Sequence, residues 1–245
     1  MKVVVFGGTG LIGRKLIALL EQAGHEAVSA SPSSGVDTIA GVGLDEVLAG
    51  AEVSVDVTNS PSFAPDDVLA FFTTSTTNLL AAAARAGVGH YVALSIVGAD
   101  REPDSGYLRA KVAQEGLIAA APVPYTILRA TQFFEFAAGI AASSAGPDGT
   151  LHLTPAKLQP VAADDVAATL ADVVQSEPAK GIVELGGPEK IGLDDFVRRA
   201  VTSTQTVVTD PTAPYFGAVI TDDSLVTAPG AHIGEITYNE WLASR

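Results

Sequence analysis

A tyrosine and a lysine four residues apart, with a serine upstream, carry the chemistry that this sequence suggests. Tyr107 and Lys111 share one face of a predicted helix, and Ser95 ends an apolar stretch predicted to be a strand. A lysine ammonium favours the phenolate form of a nearby tyrosine and lowers its pKa. The tyrosine can then exchange a proton with a carbonyl or alcohol oxygen, to which a serine hydroxyl also donates. The spacing predicts general acid–base catalysis, with Lys111 also able to hold the ribose of a cofactor.

A simpler interpretation of the same residues remains open. Tyr107 and Lys111 could lie on the surface of the helix, with Lys111 paired to Glu115. The position of the pair after a strand that ends in Ser95 favours the catalytic interpretation, because open parallel sheets bind ligands at the carboxyl ends of their strands.

A glycine-rich turn near the N-terminus predicts the binding site of a second ligand. The apolar residues 3–6 lead into Gly7, Gly8, Gly10 and Gly13, and apolar residues then recur at helical spacing. Glycines let the backbone approach a pyrophosphate closely, and a helix N-terminus offers free N–H groups and a positive dipole end. The order of strand, turn and helix predicts a dinucleotide site; the alternative is a turn that binds nothing.

The end of the second predicted strand bears on which dinucleotide binds. NAD-specific sites place a carboxylate there for the ribose 2′-hydroxyl, but residues 28–34 contain none. Arg14 can supply a positive charge, and serines such as Ser31 can donate hydrogen bonds to a 2′-phosphate. We therefore expect NADP, with NAD possible; the alternative is a solvated arginine beside a flexible loop.

Composition excludes several classes of function. The 245 residues are 47% hydrophobic and 17% charged, which is typical of a compact globular chain. The formal net charge of −14 argues against binding to nucleic acid or to an anionic membrane. The sequence has no cysteine, and its four histidines show no metal-ligand spacing, so no metal site is expected. No apolar stretch can span a bilayer and no signal peptide precedes the first strand, so we expect a cytoplasmic protein.

Strand and helix signals alternate along the chain, which is typical of a doubly wound parallel α/β sheet. Strands are predicted at residues 3–6, 25–30, 36–39, 52–57, 90–95, 125–128 and 181–185. Helices are predicted between the glycine turn and Gly24 and at residues 44–48, 65–86, 107–120, 133–142, 165–174, 193–201 and 238–243. We interpret residues 1–245 as a single domain, in which residues from about 130 to 245 contribute a small substrate-side lobe.

These features make the sequence resemble the short-chain dehydrogenase/reductase superfamily, in particular its atypical, NmrA-like NAD(P)H-binding branch. The resemblance is carried by GGTGLIG (7–13), TNLLAAA (77–83), YVALS (91–95), YLRAK (107–111), LRATQF (128–133) and PVAADDVA (160–167). It implies a Rossmann fold, a pyrophosphate at residues 7–13, and a nicotinamide near Ser95, Lys111 and the loop after Leu128. The expected cofactor-binding residues are Gly7, Thr9, Gly10, Leu11, Ile12, Gly13, Arg14, Ser31, Thr58, Asn59, Ser95, Lys111 and Ala130.

The sequence also departs from the pattern of this family. The asparagine that completes the proton relay in many relatives would fall near Phe72, and no acidic residue for adenine follows the predicted strand at 36–39. Phe133 and Phe134 follow a predicted strand and could line an apolar substrate pocket or pack in the core. Four further aromatic residues are expected to pack in the core or the lobe: Phe136, Tyr215, Phe216 and Trp241.

Three functions are compatible with these observations. We expect an NAD(P)H-dependent oxidoreductase, a monomer or homodimer, that reduces a small, fairly apolar carbonyl compound or oxidises the alcohol through Ser95, Tyr107 and Lys111. A non-catalytic NAD(P)H-binding redox sensor is the second possibility. The third, an NAD-dependent sugar-nucleotide epimerase, is weakened because Arg198 and Arg199 are the only adjacent basic pair in the C-terminal region.

Overall fold

A parallel sheet forms the centre of the computed structural model, which describes residues 1–201 and 205–245. The strands of the described chain are β1 (Lys2–Phe6), β2 (Glu26–Ala30), β3 (Val53–Asp56), β4 (His90–Ile96), β5 (Tyr125–Ala130), β6 (Leu151–Leu153), β7 (Lys157–Leu158), β8 (Gly181–Gly186), β9 (Ile191–Gly192), β10 (Val207–Thr209) and β11 (His232–Ile233). Seven of them form the sheet, in the order β11-β8-β5-β4-β3-β1-β2, and each neighbouring pair is parallel. This arrangement confirms the predicted doubly wound α/β fold.

Helices cover both faces of the sheet. Those in the described residues are α1 (Leu11–Gln22), α2 (Leu44–Leu48), α3 (Pro65–Ala86), α4 (Gly106–Ala120), α5 (Ala137–Ser143), α6 (Ala163–Gln175), α7 (Leu193–Ala200) and α8 (Tyr238–Ala243). Helices α1 and α6 share one apolar cluster with the sheet, and α2, α3 and α4 contribute to another. Because helices bury both faces, β1 is a continuous apolar run instead of alternating. None of the described helices combines the length and the apolar character that crossing a bilayer requires.

The order of the strands places a crevice beside β1. Strand β1 pairs with β2 on one side and with β3 on the other, so the segments that leave these strands diverge. Ligands of open α/β sheets bind outside the carboxyl ends of the strands at such a reversal. The residues after β1, β3, β4 and β5 therefore border the candidate site.

A further apolar core lies in the part of the chain that follows β5. Phe134, Phe196, Tyr238 and Trp241 pack there, and the Phe134 and Tyr238 ring centroids are 4.9 Å apart. Phe134 is 1% exposed, so it is a core residue, as is Trp241. Two small sheets, β6 with β10 and β7 with β9, complete this region.

The strand predicted at residues 36–39 is wrong. Asp37 and Val42 form only an isolated antiparallel bridge. The Asp37 carboxylate accepts hydrogen bonds from the backbone N–H groups of Ile39 at 2.8 Å and Ala40 at 3.0 Å, which closes a turn instead of a strand.

Candidate functional site

The glycine turn between β1 and α1 is packed too tightly for side chains at three of its positions. Gly7 has φ of +80°, and a Cβ there would lie 2.8 Å from the carbonyl oxygen of Val57. A Cβ on Gly13 would overlap the Gly7 carbonyl oxygen, and one on Gly8 would overlap Ser29 Oγ. These contacts bring the start of α1 directly against the end of β1.

Gly10 differs from the other glycines of the turn. It is exposed, and a Cβ there would meet only the Gly7 carbonyl oxygen, at 3.2 Å. Gly10 is the N-cap of α1, where no side chain caps the helix and no acidic residue occupies the first turn. The first N–H groups of α1 are therefore available to an anion in front of Gly10, which fits the pyrophosphate of a dinucleotide.

The end of β2 is ordered by its own serines. Ser31 is the N-cap of a short 3₁₀-helix, Pro32–Ser34, and its backbone N–H donates to Ser34 Oγ at 3.0 Å. The hydroxyls of Ser31 and Ser33 lie 2.8 Å apart. Within the described residues, the exposed Arg14 makes no ion pair, whereas Lys15 binds Asp164 at 2.6 Å.

Tyr107 meets the loop that follows β3. The half-buried Tyr107, in the first turn of α4, donates its hydroxyl to Asn59 Oδ1 at 2.8 Å. Thr58, the preceding residue, donates its own hydroxyl to Asp56 at 2.6 Å. Because Val57 in the same loop contacts Gly7, the loop connects the glycine turn to Tyr107.

Lys111 is buried one turn further along α4, with its ammonium directed away from Tyr107. Nζ donates to the carbonyl oxygen of Leu94 at 2.9 Å and to Gln114 Oε1. It also lies 4.3 Å from the centroid of the Phe72 ring, at the position where the family resemblance would place an asparagine. Among the described contacts, no hydrogen bond joins Lys111 to Tyr107, so the structure does not bring the two polar groups together.

Burial controls the acidity of both side chains. It lowers the pKa of Lys111 to about 8, against the opposing influence of the negative charges of Asp56 and Glu115. Burial also raises the pKa of Tyr107 to about 12. The sequence predicts the opposite direction for Tyr107, because it assumes that the ammonium faces the phenol; in the structure, the ammonium faces a carbonyl, an amide and a ring.

Ser95 lies at the end of β4 as predicted, but its hydroxyl has another partner. Ser95 Oγ donates to Glu115 Oε1 at 2.6 Å. Arg129 binds both oxygens of the same carboxylate, at 2.9 and 2.6 Å, and binds Asp100 at 3.0 Å. Glu115 is thus paired with Arg129, so the alternative of a surface Lys111–Glu115 pair is wrong. The Ser95 hydroxyl points to a position two turns of α4 away from Tyr107.

Aromatic rings cover Tyr107. Phe63, which is 60% exposed, lies 5.8 Å from Tyr107 and 6.2 Å from Phe216, measured between ring centroids. Phe216 is 47% exposed with φ of +45°, and Tyr215 packs edge-on against it. Of the two expected alternatives, core or lobe, core packing is therefore wrong for Phe216 and also for Phe136, which is 49% exposed. Phe63, the exposed neighbour of Phe216, was not among the predicted site residues. A large apolar residue in a polar loop at the carboxyl edge of the sheet was the available signal.

Tyr215 and Phe216 also line a cavity of about 580 Å³. It is lined by residues 143–146, His152, Asp210 and residues 212–217, none of which is lysine or arginine. His152 Nδ1 lies 3.9 Å from Asp210 Oδ2, and hydrogen bonds from Thr212 lower the pKa of Asp210. The cavity has the size of a small-molecule site and an acidic, aromatic lining.

Comparison with known proteins assigns the glycine turn and the strands that follow it to one family. The model of the NAD(P)H-binding family matches residues 7–177. A chloroplastic divinyl chlorophyllide a 8-vinyl-reductase of Oryza sativa subsp. indica is 30% identical over 224 residues, which cover 77% of this chain and 55% of that protein. The chain therefore spans about half the length of this curated relative.

Two solved structures share the fold. The UDP-glucose 4-epimerase of Thermus thermophilus, in complex with NAD, has a TM-score of 0.71 at 18% identity, covering 100% of this chain and 93% of that one. A short-chain dehydrogenase/reductase superfamily protein from Agrobacterium tumefaciens, with bound NAD, has a TM-score of 0.71 at 18% identity, covering 100% and 95%. At these identities the likeness is one of fold.

The low pKa of Lys111 predicts a specific pH dependence of stability. Between about pH 8 and 10, the unfolded chain holds the lysine proton and the folded chain has released it. The free energy of unfolding should therefore rise with pH across this window. Lys111→Met should remove that rise, measured by urea unfolding at a series of pH values. Lys190→Met, at an exposed lysine, should keep it. A wild-type slope in Lys111→Met would contradict the buried environment of this ammonium.

Proposed function

Because the chain belongs to the NAD(P)H-binding family of atypical, NmrA-like short-chain dehydrogenases/reductases, we propose that it is an NAD(P)H-dependent oxidoreductase acting on a small, apolar carbonyl compound. One observation carries the proposal. The Tyr107 hydroxyl is held at 2.8 Å by Asn59, in the loop that also contacts the glycine turn. A proton donor thus stands at the carboxyl edge of the sheet, beside the expected cofactor site.

Tyr107 serves as the proton donor in this proposal. With a pKa of about 12 it is protonated at neutral pH, so it can give a proton to a carbonyl oxygen as negative charge develops there. The glycine turn would hold the dinucleotide, whose nicotinamide would supply a hydride to the carbonyl carbon. Asn59 orients the hydroxyl, and Lys111 places a positive charge one turn along α4. Ser95 contributes indirectly, because its hydroxyl is donated to Glu115.

The surroundings of Tyr107 favour an apolar substrate without a diphosphate. Phe63 and Phe216 provide aromatic surface, and the adjacent cavity carries Asp210 without a lysine or arginine. Arg198 and Arg199 are paired with Asp194 and Asp195 on α7. These charges disfavour the sugar-nucleotide epimerase. The name of the rice relative adds activated carbon–carbon double bonds to the acceptors that are worth testing.

A non-catalytic NAD(P)H-binding sensor is the second candidate. One observation favours it: the ammonium of Lys111 and the hydroxyl of Ser95 are both bound to groups other than Tyr107. A protein of this kind would keep the cofactor site and show no turnover with any acceptor.

The preferred cofactor in this proposal is NADPH. No carboxylate ends β2, the serines hold that loop in an ordered turn, and Arg14 is exposed and free of ion pairs within the described residues. A 2′-phosphate at the end of β2 would therefore meet no carboxylate of that strand, and we assign Arg14 as the cation that pairs with it.

The glycine turn supports a first test, of cofactor binding. Gly10→Val should leave the fold nearly unchanged and abolish measurable NADPH binding, because its side chain would occupy the space in front of α1. Thermal unfolding checks that the fold is retained, and calorimetric titration with NADPH checks that binding is lost. Gly13→Ala should instead lose stability, whereas Gly116→Ala, in the interior of α4 where a Cβ meets nothing within 4 Å, should leave NADPH binding unchanged and raise the melting temperature slightly. A folded Gly10→Val that binds NADPH as well as wild type would refute the cofactor site.

Arg14 supports a second test, of cofactor preference. Arg14→Gln should weaken NADPH binding by about 10- to 100-fold, the range of roughly 1.5–3 kcal/mol for a hydrogen bond to a charged group, and leave NADH binding unchanged. Lys15→Gln is the matched control, because Lys15 is already paired with Asp164. Equal wild-type dissociation constants for NADPH and NADH would show that the site does not discriminate through a 2′-phosphate.

Tyr107 supports a third test, of catalysis. Small aldehydes, ketones and activated alkenes are first screened for NADPH oxidation by the wild-type protein. Tyr107→Phe should then lower turnover of the best substrate by on the order of 10²–10⁴-fold with nearly unchanged NADPH binding. Tyr125→Phe, at the opposite end of β5, should retain activity.

Two results would argue against this assignment. Full turnover by Tyr107→Phe would exclude the tyrosine as the acid. NADPH binding without turnover of any acceptor would favour the sensor.

A further inference from the structure

The loop that follows β5 contains a buried amide without a partner. Gln132 is 7% exposed, and its Oε1 is buried and accepts no hydrogen bond from the described residues. Turning the amide by 180° would leave an unpaired N–H in its place. Burying such a group without a partner costs free energy, so the position needs a function that offsets the cost.

The backbone prevents Gln132 from relieving this cost by moving outward. Its carbonyl oxygen accepts from Val161 N at 2.9 Å. On either side, Thr131 N donates to Leu185 O at 3.0 Å and Phe134 N donates to Val161 O at 2.9 Å. The backbone of the loop is therefore fastened to β8 and to the segment before α6, so Gln132 cannot leave the interior by a movement of the loop.

The position of Gln132 identifies the part of a dinucleotide that it can meet. Ala130 and Phe133, which flank the loop, belong to the apolar cluster that includes Leu11 and Ile12 at the start of α1. Strand β5 lies three strands from β1 on the side away from β2, a distance of roughly 14 Å at the usual strand spacing. The adenine ribose is expected beside β2, so the other end of the cofactor extends toward β5.

We propose that Gln132 binds the carboxamide of the nicotinamide ring through its side-chain amide. Two primary amides pair as complementary donors and acceptors, so the nicotinamide carboxamide would satisfy the unpaired atom. The inference rests on the proposed function, because it requires NAD(P)H at the glycine turn. It adds a binding residue that the motif of glycines, tyrosine and lysine does not contain.

The test compares a ligand that carries the nicotinamide with one that lacks it. Gln132→Leu should weaken NADPH binding at least tenfold and leave the affinity for 2′-phospho-ADP-ribose unchanged, both measured by calorimetric titration. Its melting temperature should stay equal or rise, because the substitution removes an unpaired polar group. Gln159→Leu is the matched control: Gln159 is also buried, but it donates to Gly187 O at 2.9 Å and accepts from Thr227. That variant should melt at a lower temperature.

Several results would overturn the inference. A loss of thermal stability in Gln132→Leu similar to that of Gln159→Leu would show that the side chain is structural. Equal loss of affinity for both ligands would show that Gln132 acts on the half of the cofactor that contains the pyrophosphate. Unchanged affinity for both ligands would show that Gln132 does not bind the cofactor. If the wild-type protein binds 2′-phospho-ADP-ribose but Gln132→Leu behaves in one of these ways, the inference alone fails. If the wild-type protein binds neither ligand, the proposed function fails with it.

Discussion

The buried ion pair between Glu115 and Arg129 fixes α4 against β5, and the candidate site is built on that attachment. Both side chains are less than a tenth exposed, and the guanidinium binds both carboxylate oxygens. Charges removed from water at this depth are tolerated only when they are paired, so α4 has one position in which both are satisfied. The Ser95 hydroxyl donates a further hydrogen bond to the Glu115 carboxylate, so this serine at the end of β4 has a structural role. Tyr107, two turns earlier on α4, is thereby set over the loop that follows β3.

A second set of buried hydrogen bonds, centred on Gln114, also fixes the position of α4 against the sheet. Gln114 accepts from Lys111 and donates to Asp56 at 3.0 Å, and Tyr91 donates to Asp56 at 3.2 Å. The lysine is therefore held by hydrogen bonds to the interior of the sheet, which accounts for the direction of its ammonium. Helix α4 presents two classes of side chain: an aromatic hydroxyl near the sheet edge and a set of buried polar groups that hold the helix in register.

The sequence was sufficient for the features that depend on local pattern. The strand, glycine turn and helix at residues 1–22 follow from apolar runs and glycine spacing, and the alternation of elements predicts the parallel sheet. The partners of Tyr107 and Ser95 could not be predicted in this way, because they lie 48 and 20 residues away in the chain. Which of several nearby polar groups a side chain selects depends on burial and rotamers, which spacing does not encode. The aromatic rings over Tyr107 could not be predicted for a similar reason, because Phe63 and Phe216 are distant in the sequence and meet only after the chain has folded.

Two constraints, folding and ligand binding, act on different glycines of the turn and limit how the sequence can evolve. Substitutions at Gly7, Gly8 and Gly13 collide with the protein's own backbone and side chains, so selection for folding alone preserves those three glycines. A side chain at Gly10 would meet only the Gly7 carbonyl oxygen, at 3.2 Å, so folding opposes it much less than at the other three positions and a bound ligand supplies the main constraint. A lineage that abandoned the ligand would keep three glycines and drift at the fourth. Variation at position 10 among descendants of a common ancestor is thus a marker of where binding has been lost while the architecture persists.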